Sequence, residues 1–310
     1  DSRHPQFIGI CACKIQATNR RYSDSMRKEL RELWKFRELL WTLVERELRI
    51  RYKNSSLGFA WSLLNPLITA LVMTTVFGLF LEQNIQSYGL YILAGYLPYL
   101  FFQFGIMDSA QSIYNALPIV KKVYFPREIL PLAAVLSNFI HFLLAMGALI
   151  VISIGVWIVY GNLPLKHTIV FVPILMVIQL ALVTGLSLIV SALNTFYEDV
   201  KYIVGVLLYL LFFLSPVLYF SEQVRNAKSS NANLLYDLYH LNPMAALCTG
   251  YRKLLLDNAA VPDREHKGSF LPPLEMNWAQ IGVAAIISFS ILWIGYTMFN
   301  RMKWRFVERP

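Results

Sequence analysis

Apolar residues fall along this chain in long blocks separated by short polar connections. A helix needs about 20 apolar residues to cross the hydrocarbon of a bilayer. Six stretches reach that length: 57–81, 88–113, 131–160, 168–195, 202–220 and 278–299. Pro66, Pro98, Pro173 and Pro216 lie inside them. Membrane helices tolerate proline where neighbouring helices or water satisfy the freed backbone groups. The pattern predicts an all-α, polytopic fold with six transmembrane helices.

Two further segments are apolar on one side only. In 26–53, Leu30, Leu33, Trp34, Leu40, Trp41, Val44 and Leu48 recur at spacings of three and four, the stripe of an amphipathic helix. Glu45–Arg49 and Glu47–Arg51 are spaced for favourable i, i+4 pairs. Trp34 and Trp41 suit the headgroup layer, and the basic face suits anionic lipid. Residues 26–56 are therefore expected to form a cytoplasmic interfacial helix ahead of the six-span unit, 57–310. In 221–277, Leu234, Leu235, Leu238, Leu241, Leu247, Tyr251 and Leu254 suggest helix broken at Asn242-Pro243. Each piece is too short to span, so two short re-entrant helices dipping into the outer leaflet are expected.

Composition agrees with that layout. The 310 residues are 56% hydrophobic and 15% charged, with a mean hydropathy of +0.49; soluble domains carry about 25% charge. A disordered chain is excluded, and an ordinary soluble enzyme is disfavoured. The net charge of +9 reads as topology rather than nucleic-acid binding once its distribution is seen. Thirteen Lys or Arg precede the first block; Lys121, Lys122 and Arg127 follow the second, and Lys201 follows the fourth. Arg301, Lys303, Arg305 and Arg309 end the chain. The first connection has no basic residue and the third only Lys166. The positive-inside rule then puts both termini in the cytoplasm. Residues 1–25 are polar and unlike a signal peptide. Met26 reads as a natural beginning, so 1–25 is expected to be an added remnant or a loose tail.

Candidate chemistry is sparse. Cys11, Cys13 and Cys248 form neither a disulfide framework nor a metal site. His141, near Asn138 in the third block, is expected to be packed and hydrogen-bonded. Asp108 is the one acid well inside a block and is expected to bond a neighbouring helix or cytoplasmic water. Glu198 and Asp199, at the end of the fourth, suit a subunit interface or a helix-end contact. No Gly is followed by Lys, so the G-x-x-x-x-G-K-[ST] phosphate loop is missing from this sequence. Arg46, Arg49, Arg51 and Lys53 cluster before the first block. They fit a plain lipid anchor, and equally a grip on a phosphate or diphosphate headgroup. In 115–130 a short helix between Pro118 and Pro126 is expected, presenting Lys121 and Lys122 beside Val123, Tyr124 and Phe125. That mixture suits either a positive-inside loop or docking into a groove on another protein.

Several landmarks occur in a familiar order. The run Lys121-Lys-Val-Tyr-Phe-Pro-Arg-Glu-Ile-Leu-Pro131 resembles the coupling segment of membrane subunits of ATP-binding-cassette exporters for O-antigen, capsule and teichoic acid. Arg51-Tyr-Lys-Asn-Ser-Ser-Leu-Gly58 with Trp61 and Asn65-Pro66 looks like that family's approach to its first span. Asn194-Thr-Phe-Tyr-Glu-Asp-Val200, Ser215-Pro216-Val-Leu-Tyr219 and Leu241-Asn-Pro243 look like its later landmarks. The resemblance runs from about Met26 to the C-terminus. One departure is Tyr197-Glu198-Asp199, where the family commonly has Arg before Asp, so no role for Arg transfers there.

The resemblance implies a homodimer with two separate ATPase subunits in a bacterial plasma (inner) membrane. ATP and Mg would be bound by the partner, with no cofactor on this chain. It implies export of an undecaprenyl-diphosphate-linked polymer, either teichoic acid or an O-antigen or capsule-like polysaccharide. Leu117, Lys121, Lys122, Val123, Tyr124, Phe125, Pro126, Arg127 and Glu128 would couple to the ATPase. Arg46, Arg49, Arg51 and Lys53 would receive the headgroup, and 221–277 would act as an external gate. Phe59, Trp61, Tyr96, Tyr99, Phe102, Tyr209, Phe212, Phe213 and Tyr219 would line a channel; packing and interface belts are the bland alternative for each. Rival readings are a small-molecule or lipid exporter of the same class, an ATP-independent flippase, and a membrane transferase. The flippase predicts internal repeats and several buried acids; the transferase predicts acids and His clustered at one membrane face.

Overall fold

The computed structural model describes residues 31–52, 60–80, 88–120, 122–161, 165–225, 236, 239–256, 261–262, 270–271 and 275–307. The first helix, α1, spans Arg37–Tyr52 within the segment expected to be interfacial, after a helical turn at 31–35. Glu38 opens it and Arg49 and Arg51 close it, charges that complement the helix dipole. Val44 is buried while Trp34 and Trp41 are exposed. Next come α2 (Ala60–Phe80), α3 (Tyr88–Val120) and α4 (Ile129–Tyr160). A 3₁₀ turn, His167–Phe171, leads into α5 (Val172–Phe196), followed by α6 (Val200–Leu214). The segment after α6 contributes α7 (Ser221–Arg225), α8 (Pro243–Leu255) and a two-residue ribbon, β1 (Val261–Pro262) with β2 (Phe270–Leu271). The last helix, α9 (Trp278–Met302), ends in a 3₁₀ turn, Lys303–Val307.

Four of the described helices are long and apolar enough to cross a membrane: Gly89–Pro118, Ile129–Ile158, His167–Phe196 and Trp278–Met302. The chain is an all-α, polytopic membrane protein. The first expected span coincides with the 21-residue α2. The fifth is shorter than expected: α6 has 15 residues, about 22 Å of helix against roughly 30 Å of hydrocarbon. Pro216 explains the stop, because proline and the residue before it disfavour further helix. The short helix expected between Pro118 and Pro126 is also absent. Instead α3 continues to Val120 and 122–128 is an irregular turn.

Buried polar side chains set the register of the bundle. From α5, Gln179 donates to the Pro98 carbonyl at 2.6 Å, Ser187 to Gly105 at 3.2 Å and Asn194 to Ala110 at 2.8 Å. The partner numbers rise together, so α3 and α5 run in the same direction, with α4 returning between them. Burying apolar surface gives helices little reason to associate when the solvent is lipid, so such bonds and close packing carry more of the specificity. The closest packing is between α5 and α9, at Gly185 and Gly295. A Cβ on Gly295 would collide with the Gly185 carbonyl oxygen.

A second apolar cluster closes the end of the bundle nearest the 122–128 turn. Ile113, Val120, Phe125, Leu188, Phe299 and Phe306 pack together, with Phe36, Leu39 and Leu43 against them. One cluster therefore joins α1, the end of α3, the turn and the C-terminal 3₁₀ segment.

Replacing Gly295 by Val forces α5 and α9 apart, an overpacking cost of about 1–3 kcal/mol. Gly282→Ala, where nothing lies within 4 Å, should be neutral. Thermal unfolding of both variants in one detergent checks this: Tm falls for Gly295→Val and stays put for Gly282→Ala.

Candidate functional site

Arg51, at the end of α1, reaches across to two membrane helices. Its Nη2 meets Asp108 Oδ2 of α3 at 2.5 Å, and its Nη1 donates to Asn138 Oδ1 of α4 at 3.1 Å. Asn138 closes the triangle by donating from Nδ2 to Asp108 Oδ2 at 2.8 Å and to the Ala134 carbonyl at 2.9 Å. Asp108 thus bonds a neighbouring helix, as expected. The expected Glu47–Arg51 pair is replaced: Glu47 takes Arg46 at 2.7 Å, and Arg51 takes Asp108. The triangle sits on the wall of a cavity of about 540 Å³ between α2, α3 and α4. Trp61, Asn65 and His141 also line it; Leu97, Phe101, Phe104 and Phe142 make it largely apolar.

Arg46 and Arg49 remain exposed on α1. Arg49 pairs with Glu45 at 2.5 Å, the i, i+4 contact read from the sequence. Exposed pairs of this kind contribute little stability, so both guanidiniums stay available at small cost. Lys53 lies outside the described residues.

The turn at 122–128 is exposed at its tip and anchored at its ends. Val123 and Tyr124 are 57% and 77% exposed, whereas Phe125 is buried in the second apolar cluster. Lys122 is exposed, and Leu117, Pro126 and Arg127 are half-buried. Burial lowers the pKa of the Arg127 guanidinium, opposed by the Glu128 carboxylate beside it; Arg127 remains a cation at physiological pH. Glu128 is 2% exposed and accepts a 2.6 Å bond from Lys303 Nζ. A pair this buried stays formed because separating it would strand a charge, so the C-terminal 3₁₀ turn is tied to the base of the exposed tip. Lys121 lies outside the described residues.

The aromatic candidates divide. Tyr99 and Phe102 are buried, and Tyr99 Oη donates to the Leu208 carbonyl, pinning α3 to α6. They face protein rather than an open path. Tyr96 and Phe212 pack edge-to-face. Tyr209 and Phe213 are exposed and stack edge-on at 5.2 Å along one face of α6. Trp61 is exposed at the cavity, and Tyr219 shares a 2.8 Å hydrogen bond with Tyr239. Phe59 lies outside the described residues.

Glu198 and Asp199 are exposed at the start of α6. Asn194 holds that turn from inside, accepting from the Lys201 N–H at 3.1 Å while bonding α3.

The sequence pattern gives no special place to Arg252 of α8, yet it is 2% exposed. Its guanidinium donates to the carbonyls of Tyr91 and Tyr219, each at 3.0 Å, and to those of Pro216 and Val217. It also lies 4.2 Å from the centre of the Tyr91 ring, a cation–π contact. A Cβ on Gly95 would sit 2.6 Å from its Nε, so Gly95 makes room for it. Arg252 fastens α8 to α3 and to the turn after α6. The Asn-Pro break is a helix start: Asn242 accepts from the Met244 N–H at 3.0 Å, and Pro243 takes the first helical position.

The profile described as ABC-2 type transporter matches residues 38–256, which include the Arg51 triangle, the exposed turn and Arg252. The chain belongs to the ABC-2 type transporter family. It is 32% identical over 279 residues to the O-antigen export system permease protein RfbA of Myxococcus xanthus, covering 90% of this chain and 98% of that one. A protein of the same description from Klebsiella pneumoniae is 28% identical over 271 residues, covering 87% and 94%. The polysialic acid transport protein KpsM of Escherichia coli is 21% identical over 184 residues, covering 56% and 67%. The chain is therefore a membrane permease homologous to polysaccharide export systems, and the relationship implies an ATPase partner subunit.

Replacing Arg252 in this ABC-2 permease by Gln leaves carbonyls without donors, at a cost of about 3 kcal/mol. Lys should not rescue it, since a compact ammonium cannot span the fork a guanidinium fills. Thermal unfolding of the two variants checks this, with both expected well below the parent Tm.

Proposed function

We propose that this chain is the transmembrane subunit of an ATP-driven exporter of an undecaprenyl-diphosphate-linked polysaccharide, working outward across the bacterial inner membrane. Two copies would assemble with two ATPase subunits. Each would have six spans and both termini in the cytoplasm, the arrangement favoured by the distribution of Lys and Arg. The names of its relatives, O-antigen export and polysialic acid transport, favour a polysaccharide over teichoic acid.

The observation that carries this reading is the turn at 122–128. An exposed Tyr and Val on a rigid base make a good anchor for a partner groove. Motion imposed at the tip would pass through Phe125 and Glu128–Lys303 to α3, α1 and α9 together. Arg46, Arg49, Arg51 and Lys53 would receive the diphosphate end of the cargo at the cytoplasmic face. The exposed aromatic face of α6 would contribute to the path, and the segment fastened by Arg252 would close its outer end.

Tyr124→Ala and Val123→Asp remove the anchor without touching the buried base. Both are expected to reduce co-purification of the ATPase subunit, and ATP hydrolysis stimulated by lipid-linked glycan, by about tenfold or more. Unchanged co-purification with unchanged stimulation would contradict the coupling role. Stimulation by small amphiphiles but not by glycan would favour a small-molecule exporter.

A further inference from the structure

The cavity beside Arg51 contains a charge arrangement that the headgroup role alone does not explain. A site meant only to attract phosphate would leave its guanidinium uncompensated. Here Arg51 is held by Asp108, and both side chains are partly open, at 36% and 40% exposure. Asn138, by contrast, is buried and fixed by its bond to the Ala134 carbonyl. Arg51 Nη1 can keep its bond to Asn138 while Nη2 changes partner from Asp108 to an incoming anion. Asp108 would then retain the Asn138 amide.

We propose that this cavity binds the diphosphate and first isoprenoid units of a polyprenyl diphosphate, and that Asp108 is its selectivity element. This rests on the export reading above and deepens it. The apolar walls at Leu97, Phe101, Phe104 and Phe142 suit a branched hydrocarbon. The charge logic decides the headgroup. A phospholipid phosphodiester carries one negative charge and gains little by replacing a carboxylate that already holds the guanidinium. A diphosphate carries more charge and presents two groups of oxygens to a planar fork, so it outcompetes Asp108. A resident carboxylate therefore excludes the abundant phosphodiesters of the bilayer at the cost of some affinity for the cargo, which is selectivity by repulsion. Asn138 is a positioning residue that keeps Arg51 aimed during the exchange.

The test uses the full permease with its ATPase subunit in phosphatidylcholine nanodiscs. Undecaprenyl diphosphate binding is titrated against phosphatidylglycerol and, separately, inorganic pyrophosphate as competitors. Parent protein should bind undecaprenyl diphosphate, with phosphatidylglycerol competing poorly. Pyrophosphate should compete more weakly than the whole lipid, because it lacks the apolar part. Asp108→Asn should bind undecaprenyl diphosphate more tightly and let phosphatidylglycerol compete at about tenfold lower concentration, since a neutral amide no longer repels it. Arg51→Gln should weaken binding by about tenfold or more, the scale of a lost charge-assisted bond. Asn138→Ala should raise the concentration for half-maximal stimulation of ATP hydrolysis more than it lowers the maximum. Assembly with the ATPase subunit and Tm confirm that each variant is folded.

If Asp108→Asn loses binding as Arg51→Gln does, or leaves the competition by phosphatidylglycerol unchanged, the pair is a structural clamp and the proposal is overturned. Normal binding by Arg51→Gln, with loss in Arg46→Gln or Arg49→Gln, would overturn it too while leaving the export reading intact. If parent protein ignores undecaprenyl diphosphate altogether, the export reading falls with it.

Discussion

Within a bilayer every polar atom away from water must find its partner inside the protein, and much of this permease follows from that constraint. Proline, tight turns and helix ends free carbonyl groups that lipid cannot hydrate. Buried side-chain donors need acceptors for the same reason, and Gln179, Ser187 and Asn194 of α5 find them in carbonyls along α3. Arg252 meets such carbonyls directly: the turn after α6 directs three of them, from Pro216, Val217 and Tyr219, toward its guanidinium, and Tyr91 of α3 supplies a fourth. Its charge is compensated by carbonyl dipoles and the face of an aromatic ring, which keeps it buried at tolerable cost. A segment held this way moves with the helices it is fastened to.

The two charged clusters on the other side of the bundle follow the same logic with different exposure. Glu128 and Lys303 are both buried, so their pair is a fixed joint between the exposed turn and the chain's end. Arg51 and Asp108 pair at the rim of a cavity and remain within reach of solvent or ligand. A buried pair is costly to break, whereas a half-open one can exchange partners. That difference suits the mechanical role proposed for the first and the binding role proposed for the second.

Much of the architecture is legible in the sequence because helix periodicity and long apolar blocks are local signals. The α1 stripe, the blocks for α3, α4, α5 and α9, and the helix start at Asn242-Pro243 all show in the pattern. The misreadings have physical causes. Pro118 looks like a helix breaker, yet α3 runs through it because its final turn is packed among Phe125, Phe299 and Phe306. Arg51 looks like a partner for Glu47 four residues away; its actual partner is Asp108, 57 positions along the chain. Arg252 stands out from nothing around it in the sequence, because no nearby residue points to the Tyr91 carbonyl 161 positions away. Tyr99 and Phe102 show why aromatic content cannot by itself identify a channel: the same residue types that would line a path also fill the contact between α3 and α6.

In the proposed export cycle, ATP hydrolysis on a partner subunit drives a lipid-linked glycan through this chain. Proteoliposomes containing the permease with its ATPase subunit, loaded with an undecaprenyl-diphosphate-linked oligosaccharide, test it most directly. Lectin accessibility of the glycan on the opposite leaflet should rise with ATP, and should stay at background with a non-hydrolysable analogue or without the ATPase subunit. Equal translocation by the permease alone, or with no nucleotide, would contradict the account.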